Sequence, residues 1–255
     1  MRRSDCPLSA RPILRNFICT ALGATAFLAC LLPAAAADWS GCYGGVSLGV
    51  ARAKSDITDK PFREGPFAGA GVGWNGAPHT VSADGTSAAL GGTLGCDRQF
   101  QNGGDGAFIL GAAMDLSALN AGGDVSFPGA GADTTVDFKV KNTASLRLRA
   151  GYAQDDKLFY VTGGYARGDI DAGARDHAPP AMMEVSGGGG RSGWVLGAGV
   201  EWRIAENRSL DFSLLHYDFG SVSATGAAED PAGAFPRFEN EVTADVLRVG
   251  MNWHF

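Results

Sequence analysis

Apolar and polar residues alternate along most of this chain. In residues 245–255, taken by twos, Leu247, Val249, Met251, Trp253 and Phe255 fall on one side. Val246, Arg248, Gly250, Asn252 and His254 fall on the other. A strand sends successive side chains to opposite faces, so one face here is apolar and its partner mostly polar or small. Seven further segments repeat the pattern: 39–52, 86–100, 107–117, 136–152, 158–169, 192–204 and 209–220. In 136–152, Phe138, Val140, Ala144, Leu146, Leu148, Ala150 and Tyr152 oppose Asp137, Lys139, Lys141, Thr143, Ser145, Arg147 and Arg149. In 158–169 the facing is ambiguous, and Phe159, Val161 and Tyr165 are taken as outward. Each segment meets the roughly 9–11 tilted residues that cross a bilayer.

The connections sharpen this. Those at 101–106, 154–157 and 205–208 are short and rich in turn residues. Those at 53–85, 118–135, 170–190 and 221–241 are long. Strict alternation of short and long predicts an all-β, eight-stranded antiparallel transmembrane β-barrel with short periplasmic turns and four long extracellular loops. A strand-built membrane protein must close, because no backbone group can stay unpaired in hydrocarbon. Aromatics near strand ends predict two interfacial girdles, Trp39, Tyr43, Phe100, Phe159, Trp202, Trp253 and Phe255 low, and Phe138, Tyr165 and Trp194 high.

The N-terminus adds a leader. Arg2, Arg3, Arg11 and Arg15 precede an apolar run over 17–32, then Pro33 and four alanines before Asp38. This predicts a secretory signal peptide, 1–37, cleaved after Ala37, and a barrel domain, 38–255. The 21 Lys+Arg against 27 Asp+Glu become a net charge of about −9 once the leader is gone. That acidity argues against nucleic-acid binding. The 38 glycines, dispersed among short alternating segments, suit a barrel better than a disordered linker.

With these residues in view, a family resemblance can be stated. Trp39-Ser40-Gly41-Cys42-Tyr43-Gly44-Gly45 resembles the opening of small alphaproteobacterial outer-membrane proteins of the opacity-like porin family. Similar blocks occur at 91–95, 193–202, 217–220 and 248–255, and Cys42 and Cys96 stand where the family carries aromatics. The terminal Phe255 and its outward register, Leu247, Val249, Met251 and Trp253, resemble the C-terminal signature read by the barrel-assembly machinery. The resemblance implies an integral protein of the cell outer membrane. Its partners would be outer-membrane lipid and lipopolysaccharide, assembly machinery and periplasmic chaperones. The family spans structural proteins, adhesion or haemin-binding antigens and porins.

Candidate chemistry is sparse. Gly69-Ala70-Gly71-Val72-Gly73 and 197–201 mimic dinucleotide loops but open no helix of a βαβ unit. The four histidines have no zinc spacing. His79 and His177 lie in long loops and are candidate haem ligands; His216 with Ser213 or Ser221 is a candidate catalytic pair lacking a fixed carboxylate. Neither displaces the expectation of a non-enzymatic chain without cofactors. The inward charges are Asp97, Asp115, Lys139, Lys141, Arg147, Arg149, Glu201, Arg203, Asp211 and Arg248. An eight-stranded interior is just wide enough to be filled by side chains. A cross-strand network of Arg147, Arg149, Glu201, Arg203, Asp211 and Arg248 is therefore expected to plug it. The expected role is structural, in envelope integrity and surface interaction; the alternative is a small porin passing ions or small solutes, and haemin binding ranks third. Cys42 and Cys96, the two cysteines beyond the leader, lie on one outward face and are expected to bridge β-strands in the oxidising periplasm.

Overall fold

The computed structural model describes residues 38–76, 79–101, 106–128, 133–179 and 181–255. The expected leader and its cleavage site lie outside the described residues, as does most of the turn at 101–106. Eight strands follow in order: β1 Gly41–Lys60, β2 Thr80–Gln101, β3 Gly106–Ser126, β4 Thr135–Gln154, β5 Lys157–Asp176, β6 Met183–Ala205, β7 Arg208–Thr225 and β8 Arg237–His254. Each pairs antiparallel with its sequence neighbours, and β8 returns to β1, closing the barrel.

The strands run well beyond the segments read from the sequence. β1 continues to Lys60 rather than stopping at Arg52, and β8 starts at Arg237 rather than Asp245. The expected long loops 53–85, 118–135, 170–190 and 221–241 shrink to connections at 61–79, 127–134, 177–182 and 226–236. The cause is a reversal of polarity within each strand. On β1, Val46, Leu48 and Val50 point outward and are exposed. One residue pair later Arg52, Lys54 and Asp56 take the outward positions, and Ala51, Ala53 and Ile57 are buried inside. β8 does the same, with Leu247 and Val249 outward below, and Asp245, Glu241 and Glu239 outward above. The lower storey is apolar outside, as hydrocarbon requires; the upper storey is apolar inside, as water requires.

Two irregularities reset which residues face inward. β4 carries an extra residue at Lys141 relative to β5, so Val136, Phe138 and Val140 are buried above it and Thr143, Ser145 and Arg147 below it. Lys139 and Lys141 therefore face outward, and Phe138 lies in the upper core, both contrary to simple alternation. On β7 the ladder to β8 shifts between Asp218 and Ser221 around Gly220, whose φ of +63° suits glycine.

The β1–β2 ladder pairs Cys42 with Cys96, Val50 with Ala88 and Arg52 with Thr86. The two sulfurs are joined on the outward face near the periplasmic end. The lower girdle consists of Phe100, Phe108, Tyr152, Phe159, Trp202, Trp253 and Phe255, and Tyr165 and Trp194 mark the upper one. Trp39 and Tyr43, expected there, are instead buried inside.

Candidate functional site in the lumen

Inward positions of the lower storey converge on two buried arginine clusters. In the first, Asp115 of β3 is the hub. Arg147 Nε of β4 donates to its Oδ2 at 3.0 Å, Arg248 Nη1 of β8 to its Oδ1 at 2.7 Å, and Thr93 Oγ1 of β2 to the same Oδ1 at 2.6 Å. Arg248 Nε also donates to Ser213 Oγ at 3.0 Å, and that hydroxyl donates to Asp211 Oδ1 at 2.8 Å. In the second, Arg149 pairs with Glu201 and stands 3.1 Å from Asp97 Oδ2. It donates to Tyr43 Oη at 3.1 Å and lies 3.9 Å over the Tyr160 ring. Tyr160 Oη donates to Asp211 Oδ2 at 2.5 Å, which ties the clusters together. An unpaired buried charge is expensive, and here charge is paired across five or more strands.

The structure thus brings together Arg147, Arg149, Glu201, Asp211 and Arg248, but not Arg203. That guanidinium sits at the periplasmic mouth, 4.5 Å over the Trp39 ring, and donates to Asp38 O at 2.8 Å and Glu206 O at 2.9 Å. β6 opens toward solvent at that point, where backbone carbonyls and an indole replace a carboxylate as its partners. Asp211 likewise takes hydroxyl rather than guanidinium donors. Trp39 and His254, 6.0 Å apart between ring centres, close the mouth.

Among the described residues the lower lumen is closely packed. A cavity of about 20 Å³ lies between Arg147, Arg149, Tyr160 and Arg248, space for about one water. Above it the upper storey is filled by apolar side chains, including Leu215, Tyr217, Phe219, Phe138, Ile170 and Phe238. Over these the connections interlock. Trp74 Nε1 of the β1–β2 connection donates to Asp176 Oδ2 at 2.9 Å, Thr134 Oγ1 donates to the same oxygen at 3.1 Å, and Asp59 accepts the backbone N–H of Trp74 and Asn75 at 3.1 and 2.7 Å. Met182 and Asp230 bridge the other two connections.

Such a barrel, charged within, apolar around its waist and girdled by aromatics, invites comparison with known proteins. A family model described as the outer membrane protein β-barrel domain matches residues 21–255. The chain belongs to that family. This outer-membrane β-barrel protein is 28% identical over 152 residues to the 31 kDa outer-membrane immunogenic protein of Brucella melitensis biotype 1, and equally to that of Brucella suis biovar 1. The match takes in 59% of this chain and 61% of those relatives, so it spans less than two thirds of their length. Among solved structures, the outer membrane protein OprG of Pseudomonas aeruginosa is similar at 13% identity, with 86% of this chain and 98% of that one covered and a TM-score of 0.48. Neisserial surface protein A is similar at 14% identity, covering 85% and 98%, with a TM-score of 0.39. The protein resides in the cell outer membrane.

The barrel also separates His216 from Ser213, one of its two candidate partners. His216 faces outward and bonds Asp245 Oδ1 through Nδ1 at 2.7 Å, whereas Ser213 faces into the lumen, so the two cannot form a pair. A Ser, His and Glu that sequence reading missed do meet inside: Ser209 Oγ lies 2.8 Å from His254 Nε2 and also bonds Glu201. Glu201 approaches the same Nε2, at 3.3 Å, rather than Nδ1, and Ser209 is fully buried. A triad needs the carboxylate on the far nitrogen and the hydroxyl open to substrate. His79 packs edge-on to Phe127 beneath the cap, while His177 is exposed in the β5–β6 connection. Thr93, Tyr43, Tyr160, Ser209 and Asn252 complete the lumen network. Inward parity alone marked Thr93, Tyr160, Ser209 and Asn252 in the sequence, and Tyr43 was read as a girdle residue.

Proposed function

We propose that this protein is a sealed, non-enzymatic barrel that strengthens the outer membrane and presents a compact folded surface to the outside. The observation that carries this reading is the double closure of the lumen, ion-paired below and apolar above, with a residual cavity of about 20 Å³. A pore needs continuous water, and the packing of the described residues in both storeys argues against it. The Brucella relatives' name, outer-membrane immunogenic protein, agrees with surface exposure. Refolded protein in planar bilayers is expected to be electrically silent. Stepwise conductance would overturn the sealed reading in favour of a small porin.

Lipopolysaccharide, periplasmic chaperones and the barrel-assembly machinery are the proposed partners. Phe255 stays outward, 81% exposed, while its backbone exchanges hydrogen bonds with Cys42. Phe255→Ala keeps that backbone pairing and removes the ring. Outer-membrane yield is expected to fall several-fold in cells while detergent-refolded barrel forms normally; equal yield would remove Phe255 from the assembly signal.

A further inference from the structure

The outer wall carries a depression that neither the lumen nor the cap accounts for. It has a volume of about 820 Å³ and lies across β1 to β6. Leu90 and Leu116 wall one end, Ala118 and Ala144 form the floor, and Arg167 with Gly190 form the other end. The register makes this one continuous surface: Leu116 pairs with Ala144 and Ala144 with Arg167, while Leu90 pairs with Ala118 in the next row up. All these positions face outward. The depression spans the level where the wall changes from apolar to charged, since Tyr165 marks the upper girdle and Arg167 lies one outward position above it.

Several cations at this height are held in ion pairs; Arg167 is not, and it is the cation that lines the depression. Arg52 pairs with Asp84, Lys54 with Asp56, Lys60 with Glu239, Lys141 with Asp171 and Arg175 with Asp137. No carboxylate among the described residues lies within ion-pair distance of Arg167. Asp169, two residues along on the same outward face, lines the same end and puts one negative charge beside the guanidinium without an ion-pair contact to it. The guanidinium lies flat over Gly190, where a Cβ would stand 2.2 Å from Nη2. Beside it the Tyr165 and Ser192 hydroxyls share a 2.7 Å hydrogen bond. A planar five-donor cation above an apolar trough, at the hydrocarbon boundary of the outer leaflet, matches a lipid with acyl chains below and a phosphate above.

We infer that this depression binds the phosphorylated acyl-sugar anchor of outer-leaflet lipopolysaccharide, lipid A, with an acyl chain along Ala118 and Ala144 and a phosphate on Arg167. The inference deepens the envelope role proposed above and rests on its placing of the long connections outside. It is independent of whether the lumen conducts, so the bilayer experiment and the following one fail separately.

The test uses the refolded barrel in detergent, titrated with bisphosphorylated lipid A and read by native mass spectrometry. Each variant is first shown to be folded by its heat-shifted mobility on a gel. The unaltered protein is expected to hold lipid A about tenfold more tightly than the dephosphorylated form, the scale of one charge-assisted contact. Arg167→Gln should abolish that preference. Gly190→Ala, which keeps the charge but lifts the guanidinium from its seat, should reduce it. Ala118→Leu, which fills the floor, should weaken both forms alike. Equal binding by the unaltered protein and Arg167→Gln would overturn the phosphate assignment. Equal competition by phosphatidylglycerol would overturn the assignment to lipid A.

Discussion

Glu201 shows how much one residue holds in this barrel. Its two oxygens take Arg149, Ser209, Asn252 and His254, from three strands besides its own. Truncating it leaves Asp97 as the one carboxylate on Arg149, and a broken buried pair typically costs about 3–5 kcal/mol. Glu201→Ala is expected to lower stability by that amount in urea titration of vesicle-inserted barrel. A loss near zero would mean that water reaches the lumen. Individual facing was legible wherever the ladder is regular: Arg147, Arg149, Asp211 and Arg248 are inward because period two puts them there. Lys139 and Lys141 were not, because one extra residue at Lys141 reverses the parity above it. Arg203 has the right parity but stands too near the mouth, and parity carries no depth. Partner identity was also hidden, since Asp115 meets Arg248 across 133 residues of chain.

At the scale of elements, the β1–β2 hairpin is the one fastened covalently. The Cys42–Cys96 bridge spans 54 residues, and the chain-entropy model gives about 4 kcal/mol for a ring of that size. Denatured, unreduced mature protein is expected to show no free thiol. Two thiols per chain would end the assignment, and the double serine variant should otherwise unfold at lower urea. The strands themselves were half legible. Lower halves stand out because hydrocarbon demands apolar residues outward. Upper halves keep the period but exchange the two faces, so a template of apolar-outward alternation stops at Arg52 on β1 and at Asp245 on β8. Their residues then pass for loop.

For the molecule as a whole, the interlocked cap carries a contact that depends on pH. Asp59 is buried beneath it, and burial pushes its carboxyl above the ordinary range, against the opposing pull of the Asn75 and Trp74 donors and of His79. With the folded pKa above the unfolded one, its contribution is fully present below the unfolded value. It is lost as pH rises through the folded value. Amides of residues 61–76, corrected for intrinsic rate, are expected to exchange more slowly near about pH 4 than at neutrality. Asp59→Asn should flatten that difference, and an unchanged profile would clear Asp59 of the role.

The reversal of polarity also fixes the waterline. On adjacent strands the change falls between Val50 and Arg52 and between Leu247 and Asp245, and these four residues are paired across the β1–β8 seam. Sinking the barrel by one outward position would carry Arg52 and Asp245 into oil; raising it would strand Val50 and Leu247 among sugars. Charge on a lipid-facing wall costs about 2–4 kcal/mol at mid-depth and about 0–1 kcal/mol near the interface, so each step is small, but it recurs at the same height on β5, where Arg167 follows Tyr165. The molecule therefore floats at one draught, and a membrane thicker or thinner than its apolar waist must itself bend to meet it.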